Sequence, residues 1–152
     1  MSWPYGAMII TPYEPRWRDD TARTWRDSVL SWGFKGWEPP TPDQFSGFVD
    51  RLAVSDKVTH LAIEDDRLLG FISIAPDGHV DHLYVAADAQ GQGVGASLIA
   101  FAKNAHPGGL ALMVAAPNVR GQKFYQREGF RQVETPPEHP DPRFRRYRYC
   151  WP

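Results

Sequence analysis

A chain of 152 residues, 42% hydrophobic and 23% charged, is long enough to bury a core and too apolar for wholesale disorder. Its 17 basic and 18 acidic residues leave a formal charge of −1, which argues against a general affinity for phosphate backbones and so against nucleic acid as a partner. With a single cysteine, Cys150, and no run near the roughly 18 apolar residues of a membrane span, neither an intrachain disulfide nor a membrane anchor is expected, and a cytoplasmic protein is.

The N-terminal stretch Met1 to Asp20 lacks the continuous apolar segment of a secretory signal. Ala7 to Thr11 predicts a first strand, stopped by Pro12 and Pro15. Asp19 or Asp20 is a candidate cap for a helix reaching Trp32, in which Ala22, Trp25, Val29 and Trp32 recur at the spacing of one buried face. Gly33 and Gly36 end it in a loop carrying Phe34 and Trp37. Thr41 followed by Pro42 marks a second helix start, with Phe45, Phe48, Val49 and Leu52 on one side. Beyond Asp56 the apolar period shortens. Thr59 to Glu64 and Leu68 to Ala75 predict a hairpin about Asp65-Asp66, and His79 to Ala86 a third strand after the turn Pro76-Asp77-Gly78. A glycine-rich stretch then opens a helix, Gly95 to Ala105, striped by Leu98, Ile99, Ala102 and Ala105. Leu110 to Ala115 is nearly continuously apolar, the pattern of a strand buried on both faces. A short helix, Gly121 to Arg127, a strand, Phe130 to Glu134, a proline-rich loop and an alternating strand, Phe144 to Trp151, complete the chain. This order predicts a single α/β (α+β) domain over residues 1–152, one mixed and mostly antiparallel sheet covered by helices.

The strongest chemical signal is Gln90-Gly91-Gln92-Gly93-Val94-Gly95-Ala96, set between a predicted strand and an apolar-striped helix. Glycines let the backbone turn and approach a ligand closely, and the free N–H groups and dipole of a helix start favour an anion such as a pyrophosphate. Taken alone, the same stretch serves equally well as a structural turn. It is not a Walker loop, because Gly95 is followed by Ala96 rather than lysine. Nor is it a dinucleotide fingerprint, because its glycines recur every second residue and antiparallel hairpins precede it.

Gln90-x-x-Gly93-x-Gly95 resembles the Gln/Arg-x-x-Gly-x-Gly/Ala pyrophosphate loop of the GCN5-related N-acetyltransferases, the GNAT family. Asp81-His82-Leu83-Tyr84-Val85 before it is similar to that family's fourth strand. Asn118, Phe124-Tyr125 and Gly129-Phe130 after it are similar to its downstream elements. The resemblance implies a GNAT fold with splayed central strands and acetyl-CoA as cosubstrate. Gln90, Gly91, Gln92, Gly93, Val94, Gly95 and Ala96 would form the pyrophosphate loop, Leu83, Tyr84 and Val85 the strand beside the pantetheine arm, and Asn118 and Phe124 further cofactor contacts. A backbone N–H near Val85 would polarise the thioester carbonyl, and Tyr125 would give a proton to the departing thiolate.

Each residue also has a bland role: Tyr125 could pack with Phe130, and Asn118 could cap the helix that follows it. Asp81 is the best candidate for a general base, since strand alternation sets it on the face of Leu83 and Val85, with His82 facing the other way beside Tyr84; a bulge would upset this parity. No metal site is expected from the scatter of Asp77, His79 and His82. In this family the acceptor site is shaped by the first two helices, their loop and the last strands, which points to Phe34 and Trp37 as acceptor contacts and to an apolar or aromatic amine, or a peptide with a bulky side chain. The expected activity is transfer of an acetyl group to a primary amine by direct attack. The competing reading is a non-catalytic acyl-CoA-binding module with the same fold. Homodimers are common among similar proteins, though no feature of this sequence requires one.

Overall fold

The computed structural model describes residues 8–31, 38–134, 139–141 and 144–152. Four strands form one antiparallel half of the sheet in chain order: β1 (Ile9–Pro12), β2 (Val58–Glu64), β3 (Arg67–Ile74) and β4 (Val80–Val85). The other half contains β5 (Leu110–Ala115) and β6 (Arg131–Glu134), with β7 (Arg146–Trp151) inserted between them. The helices among the described residues are α1 (Arg18–Leu30), α2 (Pro42–Ala53), α3 (Val94–Ala105) and α4 (Val119–Arg127).

Local chemistry accounts for most element ends. Asp65 and Asp66 both take positive φ, 49° and 56°, the tight two-residue turn whose twist suits a hairpin and which short polar side chains tolerate. The Thr41 side chain accepts from the Gln44 N–H while the Gln44 side chain reaches back to the Thr41 N–H, and Pro42 fills the first helical position. At α1 the expected Asp cap is replaced by a different device. A 3-10 turn over Pro15–Trp17 runs straight into the helix without a side-chain cap, so Asp19 and Asp20 fall in the first turn, where they favour the dipole.

Two apolar layers flank the first half-sheet. Trp17, Ala22 and Trp25 on the α1 side join Phe45, Val49 and Leu52 of α2 over Leu61, Ile63, Leu68 and Phe71. On the opposite face Val94, Leu98, Ile99 and Ala102 of α3 pack on Leu69, Ile72 and Ile74 and on Leu110, Leu112 and Val114 of β5. Burial of a large apolar side chain stabilises by about 1.5–3 kcal/mol, so this stripe outweighs the roughly 1 kcal/mol that Gly95 costs within the helix. Strand β5 departs from expectation: Leu110, Leu112 and Val114 are buried, but Ala111, Met113 and Ala115 are only half-buried, because its second face is incompletely covered.

The two half-sheets part where the site lies. Between β4 and β5 there is one isolated parallel bridge, His79 to Ala111, with the Ala111 N–H donating to the Gly78 carbonyl at 3.1 Å. This is the splay of central strands that the family resemblance implied. Strand β4 also carries the bulge that its parity depends on: Val80 pairs with Ile74 and His82 with Ser73, leaving Asp81 as the extra residue. Val80 therefore shares a core with Leu83 and Val85, while Tyr84 packs on the α1 side and His82 packs on Trp25.

Candidate active site

The splay opens a cleft of about 620 Å³ between the end of β4, the start of α3 and helix α4. The main chain of β4 borders it for a reason of register. Ala86 donates to Leu69 of β3, and antiparallel alternation then turns the N–H and C=O groups of Tyr84 toward β3 and those of Leu83 and Val85 toward the opening. The Gln90 side-chain amide, 3.4 Å from the Val85 carbonyl, reaches that open edge.

At the start of α3, Gly93 occupies the N-cap position with φ +87° and supplies no capping side chain, and the first turn holds no acidic residue. Its N–H groups and the positive end of its dipole are thus left for an external anion. A carbon built on Gly91 or Gly93 would meet no heavy atom within 4 Å, so space is open beside both. At Gly95 the situation differs: a Cβ would stand 3.2 Å from the Phe124 ring, and this glycine lets α3 and α4 approach. These residues fit a pyrophosphate-bearing ligand.

Helix α4 supplies the facing wall. The Asn118 Oδ1 accepts from the Gly121 N–H at 2.9 Å, so this residue caps the helix and lines the cleft at once. Phe124 and Tyr125 lie edge to face at 5.1 Å, and Tyr125 meets Phe130 at 5.5 Å. Burial, with a smaller contribution from Tyr84, raises the Tyr125 pKa above its ordinary 10. Burial likewise raises Tyr84 to about 12, against the opposing effect of a hydrogen bond with Trp25. Both phenols keep their protons at neutral pH and can donate them.

Of the residues singled out from sequence, Leu83, Tyr84, Val85, Gln90, Gly91, Gly93, Val94, Gly95, Ala96, Asn118, Phe124 and Tyr125 line this cleft. Gln92 lies outside the lining, its side chain 3.4 Å from the Asp88 carbonyl. Asp81 lies outside it too: its carboxylate is 2.9 Å from Lys57 Nζ and 3.6 Å from His79 Nε2. Phe34 and Trp37 fall outside the described residues. Sequence reasoning missed Arg120, whose Nη1 donates to Gln90 Oε1 at 2.9 Å across the mouth, and Ser28 and Ser31 at the end of α1. A cation two positions past Asn118 was a signal for the first; nothing local marked the serines. Among the described residues no group of three or more His, Cys, Asp or Glu could hold a metal ion, and no helix is long and apolar enough to cross a membrane.

Comparison with known proteins agrees with this geometry. Residues 40–148 match the acetyltransferase (GNAT) domain. The peptidyl-lysine N-acetyltransferase YiaC of Escherichia coli strain K12 is 37% identical over 71 residues, which span 47% of this chain and 48% of that protein. The chain thus aligns with only about half the length of that curated relative. Among solved structures, an acetyltransferase from Thermus thermophilus superposes with a TM-score of 0.77 at 19% identity, covering 96% of this chain and 97% of that one. The PaiA N-acetyltransferase of Thermoplasma acidophilum, solved in complex with coenzyme A, gives 0.73 at 18% identity over 95% and 98% of the two chains.

Proposed function

This chain belongs to the GNAT acetyltransferase family, and from that premise we propose that it is an acyltransferase that moves the acetyl group of acetyl-CoA to a primary amine within a ternary complex. The observation that carries the reading is the layout of the cleft: an uncapped helix start with open space beside Gly91 and Gly93 at one side, and the proton-bearing Tyr125 on the facing wall.

When bound, acetyl-CoA supplies an activated acetyl thioester. The N–H groups from Gln92 to Ala96 would hold its pyrophosphate, with Arg120 near enough to the Gln90 side chain to add positive charge. The open edge of β4 at Leu83 and Val85 would pair with its amide-bearing arm as an added strand would, and Asn118 and Phe124 would close on it from α4. An N–H on that edge would polarise the acetyl carbonyl. The amine nitrogen then bonds the acetyl carbon, the carbon–sulfur bond breaks, and Tyr125 gives its proton to the leaving sulfur. The amine's own proton would pass to water at the mouth, from which Tyr125 would recover the one it gave up; Asp81, paired with Lys57 outside the lining, is not placed to take it. Positioning supplies most of the acceleration, and no covalent enzyme intermediate is needed. The name of the Escherichia coli relative suggests a peptide lysine as one acceptor.

Calorimetry of acetyl-CoA with the wild type and Gly93→Asp tests the reading. A Cβ at Gly93 would meet no atom within 4 Å, but φ +87° strains any side chain there, so circular dichroism first checks that the variant folds; its carboxylate then sets a negative charge where the pyrophosphate would lie. Affinity is expected to fall at least about a hundredfold, roughly 2.7 kcal/mol. A wild type that does not bind acetyl-CoA, or a variant that binds as well, overturns the assignment.

A further inference from the structure

A second concavity, of about 470 Å³, lies on the face of the sheet covered by α1 and α2. Trp25, Phe48, Leu52 and His82 form its walls, and Arg51 and Lys57 are its cations. Its aromatic side is a packed cluster: Trp25 meets His82 at 4.3 Å and Phe48 at 5.6 Å between ring centres. The same Trp25 stacks on Tyr84 at 5.6 Å with the rings 25° apart, and Tyr84 lines the active-site cleft. One aromatic partition therefore separates the two concavities.

The charges on this groove are unequal in their commitments. Lys57 is 2.9 Å from Asp81, with Asp56 also in electrostatic reach. Asp50, on the same helix as Arg51, is engaged by Arg18 at 2.6 Å. Arg51 itself lies 5.1 Å above the Phe48 ring and has no carboxylate partner among the described residues. Its guanidinium keeps the planar fork that matches a carboxylate in two hydrogen bonds. An aromatic floor and a guanidinium with no carboxylate partner among the described residues together describe a site for a planar anion on an apolar body.

We propose that this groove recognises the acyl acceptor, and that it takes a carboxylate joined to an aromatic or aliphatic segment. Acceptors of this enzyme would thus carry their anionic group on a chain long enough to run around the Trp25–Tyr84 partition, since both rings are buried and leave no passage between them. The inference rests on the acyltransferase reading, which it extends to the substrate class. The carboxylate could belong to a small amino acid-like amine or to an acidic side chain flanking a peptide lysine; the recognition chemistry is the same.

The test is an NMR titration of the full chain, following the Trp25 indole N–H and the Arg51 Nε–H. The matched probes are 3-phenylpropionate and 3-phenylpropanamide, which differ in charge but hardly in shape. Saturable shifts at both groups are expected with the carboxylate, and at least about fivefold weaker binding of the amide, which corresponds to about 1 kcal/mol. Arg51→Gln should erase that preference, and Arg51→Lys should restore part of it. Equal binding of the two probes, no shift at Trp25, or a preference that survives Arg51→Gln overturns the proposal. Turnover with a lysine peptide flanked by Glu-Phe or Gln-Phe, set beside free 6-aminohexanoate and its amide, separates the two sources of carboxylate. A carboxylate preference in neither pair counts against the site. Acetyl-CoA calorimetry on the same samples keeps the failures distinct: intact cofactor binding without carboxylate selectivity sinks this inference alone, whereas absent cofactor binding removes the reading beneath it.

Discussion

Tyr125 combines two properties that a proton donor to sulfur needs. It lines the cleft, and burial holds its pKa above the ordinary 10, so the phenol stays neutral through the physiological range. Replacement by Phe removes one oxygen and leaves the ring contacts to Phe124 and Phe130 in place. We expect kcat to fall roughly 10²–10⁴-fold, the usual worth of a positioned general acid, with the acetyl-CoA Kd within about twofold of wild type. Because a raised pKa keeps the proton on, the wild-type rate should show no alkaline loss from this group below pH 10. A Tyr125→Phe enzyme with unchanged kcat, measured by thiol release, would reduce this residue to packing.

Helix α4 shows how one element serves stability and site together. Asn118 caps it through the Gly121 N–H, and a Cβ on Gly121 would overlap the Asn118 side-chain amide. In Gly121→Ala the Asn118 side chain must turn away. Loss of a cap costs about 1 kcal/mol, while Ala in place of helical Gly returns a similar amount. Stability should therefore change little, with Tm moving by less than roughly 4 °C. Acetyl-CoA affinity, in contrast, should weaken about fivefold or more, near 1 kcal/mol, because Asn118 no longer faces the cleft. Thermal unfolding and calorimetry on one sample distinguish the two effects. Strand β4 makes a comparable point about elements: strict alternation would set Asp81 beside Leu83 and Val85, but the bulge puts Val80 in that core and lets the Asp81 carboxylate reach Lys57.

At the scale of the molecule, the cleft exists because two half-sheets meet at one end only. The α3 cluster spans both halves and holds them together from one side. The bridge from His79 to Ala111 holds them at the strand ends, beside Gly78. Gly78 takes φ +90°, and a Cβ there would stand 2.7 Å from the Gly109 carbonyl oxygen. Gly78→Ala meets backbone strain and a clash of its Cβ with the Gly109 carbonyl together, for which we expect a loss of about 2 kcal/mol or more. For a chain of this size that lowers Tm by roughly 4–8 °C, readable by circular dichroism. An unchanged Tm would mean that the two halves do not depend on this junction.

The sequence by itself determined the order of elements, the glycine-rich turn at the start of α3 and most of the cleft lining, from Leu83 through Gln90 to Tyr125. It could do so because these depend on local rules: alternation in a strand, a proline and threonine at a helix start, glycines before an apolar stripe. Only the tertiary structure decided that β7 inserts between β5 and β6, that Ser28, Ser31 and Arg120 reach the same cleft, and that Asp81 pairs with Lys57. The Arg51 groove likewise draws on α1, α2 and β4, segments far apart in the chain. Strand pairing, a bulge and helix docking are set by which apolar faces bury together, and such contacts between distant residues leave no periodic mark on the chain.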